Sequence, residues 1–266
     1  MKRPPGGGSD GAFGAGLLTG WSQSGQRPAF EVVTGVSAGA LIAPFAFLGP
    51  NYDQALREVW TTYSTSDLAP RRLTGFLGGP SLANTRPLLS IIAKYIDAAM
   101  LARIAAEYQK GRLLLVVSTN LDAQRPVVWN LGEIASSGAP GALARLHQVL
   151  LASSAIPGYF PPVHIRVKSA DGSVYDEMHV DGGVTREVFV APAQLSFLAF
   201  DQFYPVPPKR TLYIIKNGKT EPEYEAVKAS TLSIVGRSLL TMIKNHQLGD
   251  IYRIYRMAKD DGVNFN

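Results

Sequence analysis

The chain predicts an α/β domain with a mostly parallel sheet wrapped by helices, on two observations. Short apolar runs rich in β-branched residues alternate with stretches of helical length. The composition, 46% hydrophobic and 18% charged over 266 residues, supports a sizeable core and excludes a disordered chain.

The elements follow in order. After a glycine-rich start, Ala12 to Trp21 carries helix-spaced apolar residues, ended by Ser24-Gly25 and Arg27-Pro28. Phe30 to Thr34 reads as a buried strand, and Ala38 to Leu48 as an almost wholly apolar helix kinked at Pro44. Asp53 is placed to cap a helix to about Tyr63, with Leu56, Val59, Trp60 and Tyr63 on one face. Residues 64 to 84 read as a loop. Thr85 opens a helix with Pro87 in its first turn, and another runs from about Met100 to Gly111. Leu113 to Ser118 and Val127 to Trp129 are strands, and Gly141 to Ala152 is a helix. Val163 to Lys168 and Val174 to Val180 form a hairpin around Asp171-Gly172. Thr211 to Ile215 is a further strand, and an amphipathic stretch from Ala226 to about Met257 is expected to break near Gly249.

The function classes narrow by exclusion. There are no cysteines, so neither a disulfide framework nor a thiolate metal site exists, and the compartment stays open. The net charge is +5 and the pI near 9.4. The positive residues are scattered, with Lys2-Arg3, Arg71-Arg72 and Lys209-Arg210 as the adjacent pairs, which does not suit a nucleic-acid surface. No stretch reaches transmembrane length, and MKRPPGGG lacks the apolar segment of a signal peptide.

Three motifs carry chemistry. Ser37 stands between Gly35 and Gly39 in TGVSAGA, directly after a strand and before a helix. A chance G-x-S-x-G arises in roughly one chain in five or six of this composition, so the context decides. On a sharp strand-to-helix turn the flanking glycines remove Cβ atoms that would clash, and the serine hydroxyl is presented at the helix N-terminus. The second motif is Gly6-Gly7-Gly8-Ser9-Asp10-Gly11. A dinucleotide fingerprint would use Glu31 for the ribose, but no strand precedes the loop and Glu31 begins a strand. Backbone N–H groups aimed at a developing oxyanion are the better use of such a loop. The third is Asp181-Gly182-Gly183, the doubled copy among four Asp-Gly pairs, at an apolar strand end. Of the histidines, His179 shares a strand face with Asp181, and His246 fits the order Ser, Asp, His. His147 and His164 complete the set, and none of the four sits in a glycine-rich loop.

G-G-G-S-D-G, G-V-S-A-G and D-G-G in this order resemble the patatin-like phospholipases, in particular their bacterial branch. Ala152 to Pro162 (ASSAIPGYFPP) is similar to the family segment that precedes the aspartate. The resemblance runs from about Gly6 to Gly183. It implies a three-layer α/β/α fold and a single acyl hydrolase domain over 1–266, trimmed at both ends, with the motifs in 6–190. It implies Ser37 as nucleophile and Asp181 as base in a Ser–Asp dyad, with an oxyanion hole from Gly6, Gly7 and Gly8. Gly35, Gly39, Gly11, Gly182 and Gly183 would support the elbow and loops. The substrate would be a lipid acyl ester, with no cofactor and no metal. Asp10 stands where family members commonly carry Lys or Arg. Two alternatives stay open: an α/β-hydrolase-type esterase with a Ser-His-Asp triad, and an inactive lipid-binding protein of the same shape. Residues 69–80 (APRRLTGFLGGP), which pair Arg71 and Arg72 with Phe76 and Leu77, are a candidate for peripheral membrane contact.

Overall fold

The computed structural model describes residues 11–63, 67, 83–186, 188–190, 196–219 and 221–266. Gly6, Gly7, Gly8, Asp10 and the segment 69–80 lie outside the described residues.

The chain opens with α1 (Gly11–Gln23), β1 (Val32–Val36), α2 (Ala38–Leu48) and α3 (Asp53–Thr62). Next come α4 (Arg86–Tyr95), α5 (Ala98–Tyr108), β2 (Leu113–Asn120), β3 (Arg125–Asn130), α6 (Leu131–Ser136) and α7 (Ala142–Ser153). The hairpin β4 (Val163–Lys168) and β5 (Val174–Asp181) follows, then β6 (Thr211–Leu212), α8 (Thr231–Asp260) and β7 (Asn264–Phe265).

The fold class is α/β, but among the described residues the sheet is mixed where the sequence leads one to expect a mostly parallel one. β1 and β2 pair in parallel, whereas β2·β3, β2·β5 and β4·β5 are antiparallel. The reason is local. The turn 121–124, with Gln124 at φ 51°, folds β3 straight back onto β2, and Asp171-Gly172 does the same for β4 and β5.

The register on β2 sets where β1 and β5 end. β1 pairs with residues 113–117 of β2 and β5 with 118–120. β3 pairs with residues 115–120, so it occupies the opposite edge of β2. β1 and β5 therefore share one edge and run toward each other along it. Val36 ends opposite Val117, and Asp181 ends opposite Ser118, one position further on.

β2 is buried on both faces, and its alternation separates two cores. Leu114 and Val116 belong to the main core built from α1 to α7, with Phe47, Leu56, Met100, Ile104 and Leu150. Val117, with Val36 and Phe189, forms a small core on the other face, against which Leu115 packs. α2 presents almost no polar group of its own, and its last carbonyls are satisfied by two arginines. Arg27 donates to the carbonyls of Phe45 and Ala46 and pairs with Asp53 at 2.7 Å. Arg112 donates to the carbonyls of Phe47 and Phe30. Asp53 is thus the first residue of α3 and an ion-pair partner, and Tyr52 takes the cap position.

Other departures are of extent. α6 has no counterpart in the sequence reading, β6 keeps two residues of the expected five, and α8 runs through Gly249 without a break. Gly249 is exposed, and a Cβ there would meet nothing among the described residues within 4 Å. A helix glycine in such a place costs propensity and nothing else. Gly249→Ala should therefore stabilise the protein by about 1 kcal/mol, raising Tm by about 2–4 °C. A lower Tm in calorimetry would show that the helix needs a glycine conformation there.

Candidate active site

Ser37 occupies the turn between β1 and α2 with φ 55° and ψ −125°, a left-handed conformation rare for a residue with a side chain. Such a backbone costs of order 1–3 kcal/mol and persists only where its surroundings fix it. Gly35 is the first of these constraints. A Cβ there would lie 2.6 Å from the Gly39 carbonyl oxygen and 2.7 Å from Ala40 Cα, so the turn closes only over a glycine. The expectation of a matching clash at Gly39 is corrected: among the described residues a Cβ at Gly39 meets nothing within 4 Å. The two glycines are not equivalent, because it is the backbone at 39 and 40 that crowds position 35.

The second constraint is the end of α7. The Ser37 N–H donates to Ser153 Oγ at 3.2 Å, and that hydroxyl donates in turn to the Val117 carbonyl at 2.6 Å. The Ser37 carbonyl accepts from Ser154 Oγ at 3.2 Å and from the Ala40 N–H at 2.9 Å. One residue on, the Ala155 carbonyl accepts the Asp181 N–H at 2.9 Å. Three consecutive residues thus hold the backbone of both Ser37 and Asp181. These serines lie inside ASSAIPGYFPP, where the sequence alone assigns them no role. Their signal was two adjacent serines at the end of an apolar helix.

Ser37 Oγ donates to Asp181 Oδ2 at 2.6 Å. The other carboxylate oxygen accepts the Gly183 N–H at 2.8 Å, where the chain enters a 3-10 turn over Gly182–Val184. Gly182 is required there, since a Cβ would press on the Val117 carbonyl and on Val36 Cγ1. Asp181 is only 3% exposed. Burial pushes its pKa up to about 6, against the opposing pull of the Ser37 and Gly183 hydrogen bonds. A hydroxyl on a buried carboxylate of this kind can give up its proton directly to that carboxylate.

Gly11 opens α1, and a Cβ there would fall inside the Trp60 ring, so it sets the approach of α1 to α3. The histidines go elsewhere. His147 Nε2 meets the Ile96 carbonyl at 2.6 Å, and His164 and His246 are exposed. His179 is fully buried between Ser118 and Glu177. Among the described residues no histidine bonds Ser37 or Asp181, and no group of three His, Asp or Glu is placed to hold a metal ion. An open groove of about 570 Å³ along α1, lined by Leu17, Trp21, Tyr213 and Ile215 among others, includes neither Ser37 nor Asp181. No helix of the described residues is long and apolar enough to cross a membrane.

The asymmetry of the elbow glycines is testable. Gly35→Ala should destabilise the fold by at least about 2 kcal/mol in denaturant unfolding, through overpacking against backbone. Gly39→Ala should stay within about 1 kcal/mol of the parent. Equal losses would contradict the account of the turn.

The chain matches potato (Solanum tuberosum) patatin-15 at 23% identity over 159 residues, 58% of this chain and 39% of the relative. It matches patatin group M-1 from the same plant at 25% over 162 residues, with the same coverage. The aligned region thus spans about two fifths of the length of these curated relatives. VipD from Legionella pneumophila aligns over 70% of this chain and 46% of its own, at 15% identity and a TM-score of 0.35. The sequence model of the patatin-like phospholipases covers residues 5–193, and the chain belongs to that family.

Proposed function

We propose that the chain is a serine acyl hydrolase that cleaves lipid acyl esters, of the phospholipase A or lysophospholipase type, with a Ser37–Asp181 dyad. The observation that carries this reading is the 2.6 Å hydrogen bond from Ser37 Oγ to a buried carboxylate, with no histidine on either partner among the described residues. In this mechanism Asp181 Oδ2 takes the Ser37 proton as Oγ attacks the ester carbonyl. The tetrahedral oxyanion is met by backbone N–H groups of Gly6, Gly7 and Gly8, each such donor being worth roughly 2.7–4 kcal/mol. Collapse expels the alcohol, which leaves with the proton from Asp181. Water then attacks the acyl-enzyme and gives its proton to Asp181, and the fatty acid departs as Ser37 regains that proton. The position of Ser37 at the N-terminus of α2 adds the positive end of the helix dipole to the side where negative charge develops.

The raised Asp181 pKa gives the pH dependence its sign. Only the ionised carboxylate accepts a proton, so kcat/KM should fall as pH drops through about 6, well above the ordinary carboxylate range. An ordinary histidine titrates near 6.5, so this limb does not by itself separate a dyad from a triad. Substitution does. Ser37→Ala and Asp181→Asn should each lower hydrolysis of dispersed phospholipid by at least about 10³-fold. Wild-type rates in Asp181→Asn would end the dyad reading.

The same shift carries a stability prediction. Between about pH 4 and 6 the folded protein holds a proton on Asp181 that the unfolded chain has lost. Ionisation of Asp181 therefore opposes folding by about 3 kcal/mol above pH 6, and the cost vanishes below about pH 4. An asparagine amide can still accept from the Gly183 N–H and donate to Ser37 Oγ. Asp181→Asn should thus melt above the wild type at pH 8 and level with it at pH 4. A less stable variant at pH 8 would contradict the burial argument.

A further inference from the structure

His179, the histidine most easily mistaken for a triad member, sits in a polar chain that crosses β2, buried at its centre and half-buried at its ends. Trp129 Nε1–H, on β3, donates to Ser118 Oγ at 2.8 Å. Ser118 Oγ lies 2.9 Å from His179 Nδ1, and His179 Nε2 lies 3.3 Å from Glu177 Oε2. The proton positions follow from the partners. A carboxylate accepts only, so Nε2 carries the hydrogen. Burial lowers the pKa of His179 despite the opposing charges of Glu177 and Asp122, which leaves the ring neutral and Nδ1 bare. Ser118 therefore donates to Nδ1, and every member of the chain is satisfied. Ser118 and His179 are both 0% exposed, so neither meets a substrate.

The place of this chain in the sheet gives it a task. β4 accompanies β5 only as far as His179, which pairs with Val163. Beyond it, Val180 and Asp181 project past β4 and are paired on β2 alone, opposite Thr119 and Ser118. His179 is the last residue of β5 paired with a strand on each side, and Asp181 follows two residues later, with Ser118 of β2 opposite it and its N–H accepted by the Ala155 carbonyl. The β2·β5 seam has three register pairs, and the Ser118–His179 bond is the side-chain bond that ties its two ends diagonally.

We propose that His179 is a positioning residue whose Nδ1 bond to Ser118 Oγ fixes the end of β5 on β2 and so sets the approach of Asp181 to Ser37. This rests on the dyad reading, in which that approach governs proton transfer. A displacement of about 1 Å at a reacting group can cost on the order of 10²-fold in rate. Replacement of His179 would then mimic the loss of a catalytic base, although the ring touches neither reacting atom.

The test is steady-state hydrolysis of p-nitrophenyl butyrate by the full chain and four variants, with folding followed by circular dichroism. His179→Ala should lower kcat by roughly 10- to 100-fold with KM within about twofold. His179→Asn, whose amide oxygen takes the place of Nδ1 as acceptor, should recover to within about fivefold of wild type. His179→Gln, which reaches toward Glu177 instead, should not recover. If His179→Ala fails to fold, the comparison of Asn with Gln decides alone. Wild-type kcat in His179→Ala, or equal kcat in the Asn and Gln variants, would overturn the proposal. A His179→Asn variant as dead as Asp181→Asn would overturn it in favour of His179 as the base. Asp181→Asn is the fourth variant and keeps the two claims apart: if it retains wild-type kcat, the dyad fails, whatever His179 does.

Discussion

Two strands that run in opposite directions end at adjacent positions on one edge of β2, and the rest of the structure depends on that meeting. β1 stops at Val36, opposite Val117, and β5 stops at Asp181, opposite Ser118. A parallel neighbour and an antiparallel neighbour can share an edge only end to end. Their termini then face each other with no strand between them. Ser37 leaves one terminus and Asp181 closes the other, although 144 residues separate them in sequence. The mixed character of the sheet is what makes this possible. Were β5 parallel to β2 on that edge, its carboxyl end would lie at the far side from Ser37.

The meeting point is costly in isolation. It combines a left-handed serine with a carboxylate at 3% exposure whose ionised form burial disfavours. What offsets these costs is rigid and local. The end of α7 binds the backbone of both residues through Ser153, Ser154 and Ala155. Arg27 and Arg112 hold the other end of α2, so the helix that begins at Ala38 is fixed at both termini. Stability is spent at one point and recovered around it, as expected for a site arranged before substrate arrives.

Much of this was legible in the sequence, and the gaps have physical reasons. G-V-S-A-G between a strand and an apolar helix is a local signal, and D-G-G at a strand end is another. Each reports a close approach that leaves no room for a Cβ, as Gly35 and Gly182 show. Pairing is not a local property. Nothing in the residues 113–120 states that one edge is divided between β1 and β5, and alternation of strands and helices reads as parallel whether or not hairpins intervene. The serines at 153 and 154 were visible as residues but not as ligands of Ser37, because their partners lie more than 100 positions away. Gly39 shows the opposite error: a motif position whose expected clash is absent among the described residues.

The central claim is that Ser37 is an activated nucleophile. The most direct measurement is reaction of the purified chain with a fluorophosphonate, followed by proteolysis and mass spectrometry to locate the adduct. The account predicts a single phosphonyl group on the peptide bearing Ser37, absent from Ser37→Ala and formed far more slowly in Asp181→Asn. A folded wild-type protein that takes up no label, or takes it up on another residue, would contradict it.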